Sequence, residues 1–332
     1  VNDCGIVRIK GDAMKRAEGN EGALVSLWKN ECEGASQTEV KQHEINCLRN
    51  GTGVKGAITS VATPAVTLTQ PADAINFDLG ELCQFVDSLT SLSPNVRGTT
   101  ATRKISSIAR RSGVITFDAE LTSISVTAGD GIVRAGDYAS GGVATVVTGT
   151  QLWIAGGDTP ANLFGMTRTL DPVRQAGQTY DSTNDPMEDA LINAESLLTV
   201  QGYGMGELSC QANPLDIREL KKTLGGKVTY PRTEMKSAVA GLSFKAIEFE
   251  GDNGTIKLVS NPFYPKGEFL LGEMSEMSFE SAGPAPHMQN YDSSDFLRVT
   301  TDDTWQMQFA TYGQQFCYAP LKFIRGTTWG GA

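Results

Sequence analysis

The stretch from about Asp12 to Gly53 constrains this chain most. Helix formers fill it: Ala13, Met14, Lys15, Arg16, Ala17 and Glu18, then Ala23, Leu24, Leu27, Trp28, Lys29 and Glu31. Leu24, Leu27, Trp28 and Cys32 stand at i, i+3, i+4 and i+8, one stripe of a 3.6-residue period. After Gly34 the pattern restarts at Ser36-Gln37-Thr38-Glu39, which has the form of a capping box, and continues through Val40, Ile45, Cys47 and Leu48. One long helix weakened at Gly34 and two shorter helices meeting there both satisfy this pattern. Asn50-Gly51 then supplies the left-handed residues that end a helix. A continuous helix would span roughly 55 Å at ~1.5 Å per residue. Such a length implies a beam with other elements laid across it.

The totals exclude several classes. A chain of 332 residues has room for two or three cores. With 20% charged residues, 36 glycines and 8% aromatics it is weakly charged and turn-rich, but not disordered. Its net charge of −10 comes without any basic block, so it lacks the electrostatic footprint of a protein that wraps nucleic acid. The six cysteines (Cys4, Cys32, Cys47, Cys83, Cys210, Cys317) are scattered with no CxxC pair, which reads as free thiols in a reducing compartment. No apolar run approaches the ~18 residues of a membrane span, so no membrane partner is expected.

Along the chain, Ile6-Val7-Arg8-Ile9 reads as the end of a strand or hairpin arm. Residues 54–155 then change character. Ala57–Val61, Ala65–Thr69, Arg103–Ile108, Val114–Phe117, Ile124–Val126 and Val143–Val147 are short and rich in Val, Ile and Thr. Turn signals at Ser112-Gly113, Gly129-Asp130-Gly131 and Gly141-Gly142 separate them, which predicts a small β-barrel or sandwich. Pro186 opens a second amphipathic helix whose face is Met187, Ala190, Leu191, Ala194, Leu197 and Leu198, ended by Gly202-Tyr203-Gly204. Glu207–Cys210 reads as a buried strand. Asn213 caps a third helix, Leu215 to Leu224, closed by Gly225-Gly226. Leu242–Ile247, Ile256–Val259, Phe269–Gly272, Phe296–Val299, Trp305–Phe309 and Phe323–Arg325 read as strands. The expected fold class is α+β.

Catalytic chemistry has little to work with. His43 and His287 lack cysteine or carboxylate neighbours at metal-ligand spacing, so neither metal nor cofactor is expected. No G-x-S-x-G elbow, Walker loop or H-E-x-x-H occurs. Asp292/Asp295 and Asp302/Asp303 read as solvated turns, because adjacent strand residues face opposite sides. Asn50-Gly51-Thr52-Gly53 follows a helix C-terminus, the wrong end of the dipole for phosphate. Asn50-Gly51-Thr52 and Asn253-Gly254-Thr255 match the glycosylation sequon and read as turns. No enzymatic activity is expected.

The order of these elements carries a resemblance. A long helix ends in Asn50-Gly51-Thr52-Gly53. Later a helix leads to a strand, an Asn213-Pro214 step and the helix Asp216-Ile217-Arg218-Glu219-Leu220-Lys221-Lys222. Gly241-Leu242 opens a strand, and Ser260-Asn261-Pro262 and Pro265-Lys266-Gly267-Glu268-Phe269-Leu270-Leu271-Gly272 form a return. Together they resemble the major capsid proteins of tailed phages, with the Hong Kong 97-type fold. The resemblance implies that residues 1–53 are the end of an extended-loop arm plus the spine helix of a peripheral domain. It implies an inserted small β-barrel at 54–160, a mostly axial domain at 161–275, and strands returning to the peripheral domain at 276–332. Leu163-Phe164-Gly165-Met166 matches the point where the family's chain rejoins its core. Only Val1–Gly11 stands where the family's arm and extended hairpin precede the spine, so a native polypeptide longer at its N-terminus is expected. No position matches the family's lysine–asparagine crosslink.

The function so implied is a structural subunit that self-assembles into hexamers and pentamers of an icosahedral phage head around the DNA genome. Its partners would be copies of itself, with scaffolding, portal or decoration proteins, and packaged DNA held without sequence-specific binding. The location would be the virion, assembled in the host cytoplasm. Long loops at 86–100 and 280–295 suit a chain whose loops rest on neighbours. The loop Leu224-Gly225-Gly226-Lys227 is the candidate for approach to a symmetry axis, so Gly225, Gly226 and Lys227 are candidate inter-subunit contacts. Arg110 and Arg111, at a turn of the β module, are candidates for inter-subunit ion pairs. One alternative is a β-rich glycan-binding or glycan-active protein with the β module as its ligand-binding unit. Stacking aromatics would be expected there, whereas Phe77, Phe85, Phe117, Tyr138 and Trp153 are a normal core complement. Another is the shell subunit of a cellular nanocompartment, with cargo in place of DNA.

Overall fold

In this computed structural model the backbone is described for residues 2–12, 15, 21–99, 101–138, 145–203, 206–224, 233–236, 243–251, 254–290, 297–299 and 301–330. Side chains of 2–4, 21–28, 206, 224, 233–236 and 243–250 are outside this description.

Strand β1 (Asn2–Lys10) leads to helix α1 (Glu21–Leu48), whose 28 residues run unbroken through Gly34. At 1.5 Å per residue the described helix is about 42 Å long. The capping box at Ser36–Glu39 is not used as a cap. It lies inside the helix, where Thr38 Oγ1 donates to the Gly34 carbonyl at 2.9 Å and Glu39 is buried against other elements. Tertiary contacts to Glu39 outweigh the local capping preference. The side chains of Leu24, Leu27 and Trp28 lie outside the described residues. Cys32, the last of that stripe, packs with Ala35 against Val7, Met307 and Phe309.

The helix ends as its sequence requires. Gly51 and Gly53 take φ of +75° and +69°, and Asn50 Oδ1 accepts from the Thr52 amide at 3.2 Å. The chain then closes a barrel from β2 (Val54–Ala62), β3 (Ala65–Leu68), β4 (Leu82–Val86), β5 (Arg103–Ala109), β6 (Val114–Phe117) and β7 (Gly131–Arg134), in the order β2-β3-β6-β5-β4-β7. Inward-facing Ile58, Leu68, Phe77, Phe85, Ile105, Ile115, Phe117 and Ile132 fill it, with Phe85 edge-on to Phe117 at 5.2 Å.

Ile124–Val126 is not a strand. Thr122–Ile124 is a 3-10 turn, Ser125 takes φ of +55°, and Ile124 drops into the barrel core instead of pairing. Residues 145–147 form no strand either, and Val143 and Ala144 lie outside the described residues. Gly131, which punctuates a turn in the sequence, is a strand residue. A Cβ there would meet Val54 and Leu89 side chains at about 3 Å, so glycine permits the strands to close.

After the barrel come helices α2 (Thr150–Trp153) and α3 (Pro172–Ala176), strand β8 (Gln178–Asp181), helix α4 (Met187–Val200), strand β9 (Gly206–Ala212) and helix α5 (Pro214–Leu224). Pro186 stands at the N-cap of α4, one place earlier than its first turn. Asn213 caps α5, its Oδ1 accepting from the Leu215 amide at 3.0 Å. Strands β10 (Thr233–Lys236), β11 (Ser243–Glu250), β12 (Gly254–Ser260) and β13 (Phe269–Gly272) follow. Then come β14 (Met277–Ser281), β15 (His287–Met288), β16 (Leu297–Arg298), β17 (Thr304–Cys317) and β18 (Phe323–Thr327).

One sheet has the order β10-β11-β12-β9-β13-β18-β8, with β12–β9 and β18–β8 parallel. Helices α4 and α5 bury Ala190, Leu191, Leu198, Ile217 and Leu220 against it. Trp329 closes this core, 5.1 Å from Phe269 and donating Nε1 to the Met187 carbonyl. In the second sheet β17 lies between β1 on one side and β14, β15 and β16 on the other. β1 and β17 pair antiparallel from Asn2↔Tyr312 to Lys10↔Thr304. The two distant ends of the chain thus meet in one sheet beside the helix.

The end of α1 is among the tightest places in the fold. A Cβ on Gly149 would overlap the carbonyl oxygens of Arg49 and Asn46. These are backbone atoms of a helix end and cannot swing aside. Gly149→Ala is therefore expected to lower unfolding stability by about 1–3 kcal/mol, the usual range for overpacking, measured by denaturant titration at unchanged slope.

Candidate assembly surfaces and the junction between lobes

Polar contacts join the barrel to the helix. Lys41 Nζ meets Asp78 at 2.8 Å, Arg49 meets Asp73 at 2.7 Å, and Arg134 approaches Glu39 at 3.7 Å. Asn50 Nδ2 donates to the Leu89 carbonyl at 2.8 Å, and the Tyr138 hydroxyl donates to the Thr52 carbonyl. Partly exposed pairs of this kind contribute about 0.2–1 kcal/mol each. Arg49 and Asp73 are more enclosed, at 13% and 15% side-chain exposure, so loss of either leaves a charge short of solvent. Inside the barrel wall Lys55 is buried, with Nζ 2.5 Å from Glu81 and 5.5 Å from the Phe77 ring centre.

Where helix, barrel and sheet meet, Glu268 is half-buried and accepts from Gln151 Nε2 at 2.8 Å. Burial pushes its carboxyl up from the usual range, while the Arg325 and Arg49 charges and the Gln151 hydrogen bond oppose this and Asp73 adds to it. Burial also raises Glu44, whose Oε1 takes a hydrogen bond from Asn261 at 2.9 Å. Asp216 is raised by burial too, and its Oδ2 accepts from the Gly267 amide at 2.7 Å, tying α5 to the turn before β13.

Arg168 is fully buried without a carboxylate partner. Its guanidinium donates to the Leu152, Trp153, Gln175 and Ala161 carbonyls at 2.9, 2.6, 3.1 and 3.5 Å. Burial lowers its pKa, partly offset by Cys317. Sequence reasoning missed Arg168 and Lys55 because a lone cation outside any motif reads as solvated.

The candidate contact residues fall differently. Arg110 donates to the Ala74 and Phe77 carbonyls of its own chain, at 2.6 and 3.0 Å, and stands 4.0 Å from Asp78. Arg111 is exposed. Gly225, Gly226 and Lys227 lie outside the described residues, as do Asp292 and Asp295. Asp302 and Asp303 are exposed. His43 Nε2 is 3.2 Å from Glu39, and His287 Nδ1 is 2.8 Å from the Pro284 carbonyl. Among the described residues no group of three or more His, Cys, Asp or Glu could hold a metal ion. No described helix is long and apolar enough to cross a membrane.

The aromatic residues required by a glycan-stacking surface are not at a surface. Phe77, Phe85 and Phe117 sit in the barrel core, and Tyr138 and Trp153 are buried. The apolar side chains that do face solvent are elsewhere and include Leu79 and Leu82 on the barrel, Phe164, Met166 and Leu170 after it, Val200 and Tyr203 at the end of α4, and Ile6 and Tyr318.

No protein-family model matches this chain, and no curated relative does. Similar solved structures include a chain of the satellite phage P4 procapsid with its size determination (Sid) protein. There the TM-score is 0.41 and the identity 8%, over 99% of this chain and 75% of that one. A cyanophage A-1(L) capsid chain gives a TM-score of 0.37 and 13% identity, over 58% of this chain and 62% of that one. The holo-SrpI encapsulin of Synechococcus elongatus PCC 7942 gives 0.30 and 14%, over 46% and 53%. The chain thus spans under two thirds of the latter two. At these values no residue here takes a role from those proteins.

Glu268 makes the junction sensitive to pH. Burial favours its protonated form, so the wild-type chain is expected to lose stability as pH rises from about 4.5 through the raised pKa. Glu268→Gln can still accept from Gln151 and has no charge to bury. Its stability relative to wild type is expected to increase across that window, read as the difference in denaturation midpoints at pH 4.5 and pH 7.

Proposed function

We propose that this chain is a structural shell subunit, a major capsid protein whose copies tile into hexamers and pentamers of an icosahedral phage head. The observation that carries this reading is the closure of β17 onto β1, directly before the long helix. The resemblance assigned residues 1–53 and 276–332 to one peripheral domain, with a spine helix and returning strands. The β1–β17 pairing supports that pairing of segments. On this reading 54–160 is an inserted barrel and 161–275 the mostly axial domain built on α4, α5 and strands β8 to β13, whose sheet also takes in β18 from the 276–332 segment. Gly225, Gly226 and Lys227 remain proposed axial contacts, and Arg111, exposed beside Arg110, a proposed rim charge.

A subunit of this kind requires rigid lobes and apolar surface left for neighbours. An exposed apolar set on separate lobes fits that requirement better than it fits a lone monomer. The acidic balance, with no basic block, suits an inner surface that encloses DNA without gripping a sequence. Scaffolding, portal and decoration proteins would be further partners, and the virion the location. A nanocompartment shell differs only in its contents. Negative-stain microscopy of the purified chain, alone and with a scaffold, is expected to show closed shells of uniform diameter. A chain that stays monomeric under every condition overturns the reading. Nuclease-protected DNA inside particles from infected cells separates a phage head from a cargo compartment.

A further inference from the structure

The turn Leu163–Met166 displays side chains that the other described residues leave largely uncovered. Leu163 and Met166 bridge to each other, and the residues between them, Phe164 and Gly165, take φ of +49° and +79°. Left-handed backbone is rare for a bulky side chain and persists only where the surroundings enforce it. Here they do. Leu163 is buried in a core with Trp153 and Phe323, and the fully buried Arg168 fastens the residues that follow. Phe164 leans on Trp153 and Phe316 at 5.8 and 6.0 Å, yet 57% of it faces solvent. Met166 and Leu170, 42% and 80% exposed, extend the patch. The fold accepts backbone strain and holds an aromatic ring in water.

The barrel carries a hollow of matching chemistry. Leu79, Gly80, Lys104, Ile105, Ser106 and Asp118 line an open groove of about 480 Å3. Leu79 is 69% exposed and Leu82 is 50% exposed. The groove thus offers apolar surface with one cation and one anion, Lys104 and Asp118. The turn is followed by one of each, exposed Asp171 and Arg174. Among the described residues neither Lys104 nor Arg174 forms an ion pair.

We propose that the Phe164 turn of one copy seats in the Leu79–Asp118 groove on the barrel of a second copy. Phe164 and Met166 fill the apolar floor, and Asp171 and Arg174 face Lys104 and Asp118. The two surfaces differ, so the contact is of the kind that repeats head-to-tail from copy to copy, as the shell reading requires. It is smaller than the ~800 Å2 per partner of a stable interface and is one seam among several. This inference rests on the shell reading above.

Mixed variants that each carry one added cysteine test it. Met166→Cys and Ser106→Cys, combined in equal amounts and assembled, are expected to form an intermolecular disulfide on oxidation. The yield should exceed by at least about tenfold that of Met166→Cys mixed with Ser93→Cys, because contact raises effective concentration. Native Cys47 and Cys317 are pushed up to about 12 by burial and stay protonated, which limits background. Phe164→Asn keeps a residue that tolerates the left-handed backbone. It is expected to unfold at the wild-type midpoint and to assemble at least about tenfold less readily, as for loss of an aromatic anchor. Shells that form without excess crosslink, or undiminished assembly of Phe164→Asn, overturn this contact and leave the shell reading standing. Failure of the unsubstituted chain to form shells removes both.

Discussion

The carboxyl end of the long helix is the point on which the other parts depend. The last carbonyls of any α-helix lack partners within it. Here the chain that returns after the barrel supplies them. Thr150 Oγ1 donates to the Cys47 carbonyl at 2.8 Å, and the Gln151 amide donates to the Arg49 carbonyl at 3.2 Å. Gly149 packs so closely against that end that a side chain there has no room. The barrel leaves the helix through Gly51–Gly53 and comes back at Val147–Gly149, and a Cβ on Gly51 would lie 3.3 Å from Thr148 Cα. Entry and exit are thus neighbours. Closely spaced ends are what allow a domain of some ninety residues to sit in a chain without disturbing its host.

Charge does at these seams what apolar packing does inside each lobe. The barrel and the seven-stranded sheet have separate apolar cores, whereas helix and barrel meet through Lys41–Asp78, Arg49–Asp73 and Arg134–Glu39. A polar seam fixes orientation, because each pair is satisfied in one geometry only. It also adds little free energy per contact, so the barrel relies on its own core for stability. Arg168 follows the same logic in a loop. Four carbonyls with no ladder to join are gathered by one buried cation, and a segment with little regular structure becomes rigid.

Much of this was legible in the residues. The Val, Ile and Thr runs of the barrel, the apolar face of α4, the Asn213 cap and the Phe269–Gly272 strand all state their structure locally. What was not legible depends on contacts from far away. Leu82–Val86 has no alternation, since Cys83 to Val86 are all buried, and it hides as a strand. Gly131 reads as a turn because only the approach of Val54 and Leu89 explains a glycine inside a strand. The capping box at Ser36–Glu39 carries a strong local signal and loses to Glu39's place beside Arg134 and His43. Ile124 has the composition of a strand residue and serves as a plug. The Leu163–Met166 turn was noticed as a junction, but its exposed ring was invisible. Nor does any pattern mark Arg168, which ties the residues after the turn to Leu152 and Trp153, as buried.

These features also explain where the chain keeps its apolar surface. The barrel has its own core and meets the helix through polar contacts, whereas Leu48, Trp153, Leu163, Leu270 and Phe323 form an apolar core that joins the helix end to the seven-stranded sheet. Apolar side chains such as Leu79, Phe164, Leu170 and Val200 stay outside these cores. Ion pairs thus set how the barrel sits on the helix, and apolar packing holds the helix end to the sheet. A net charge of −10 opposes non-specific association of the exposed apolar surface.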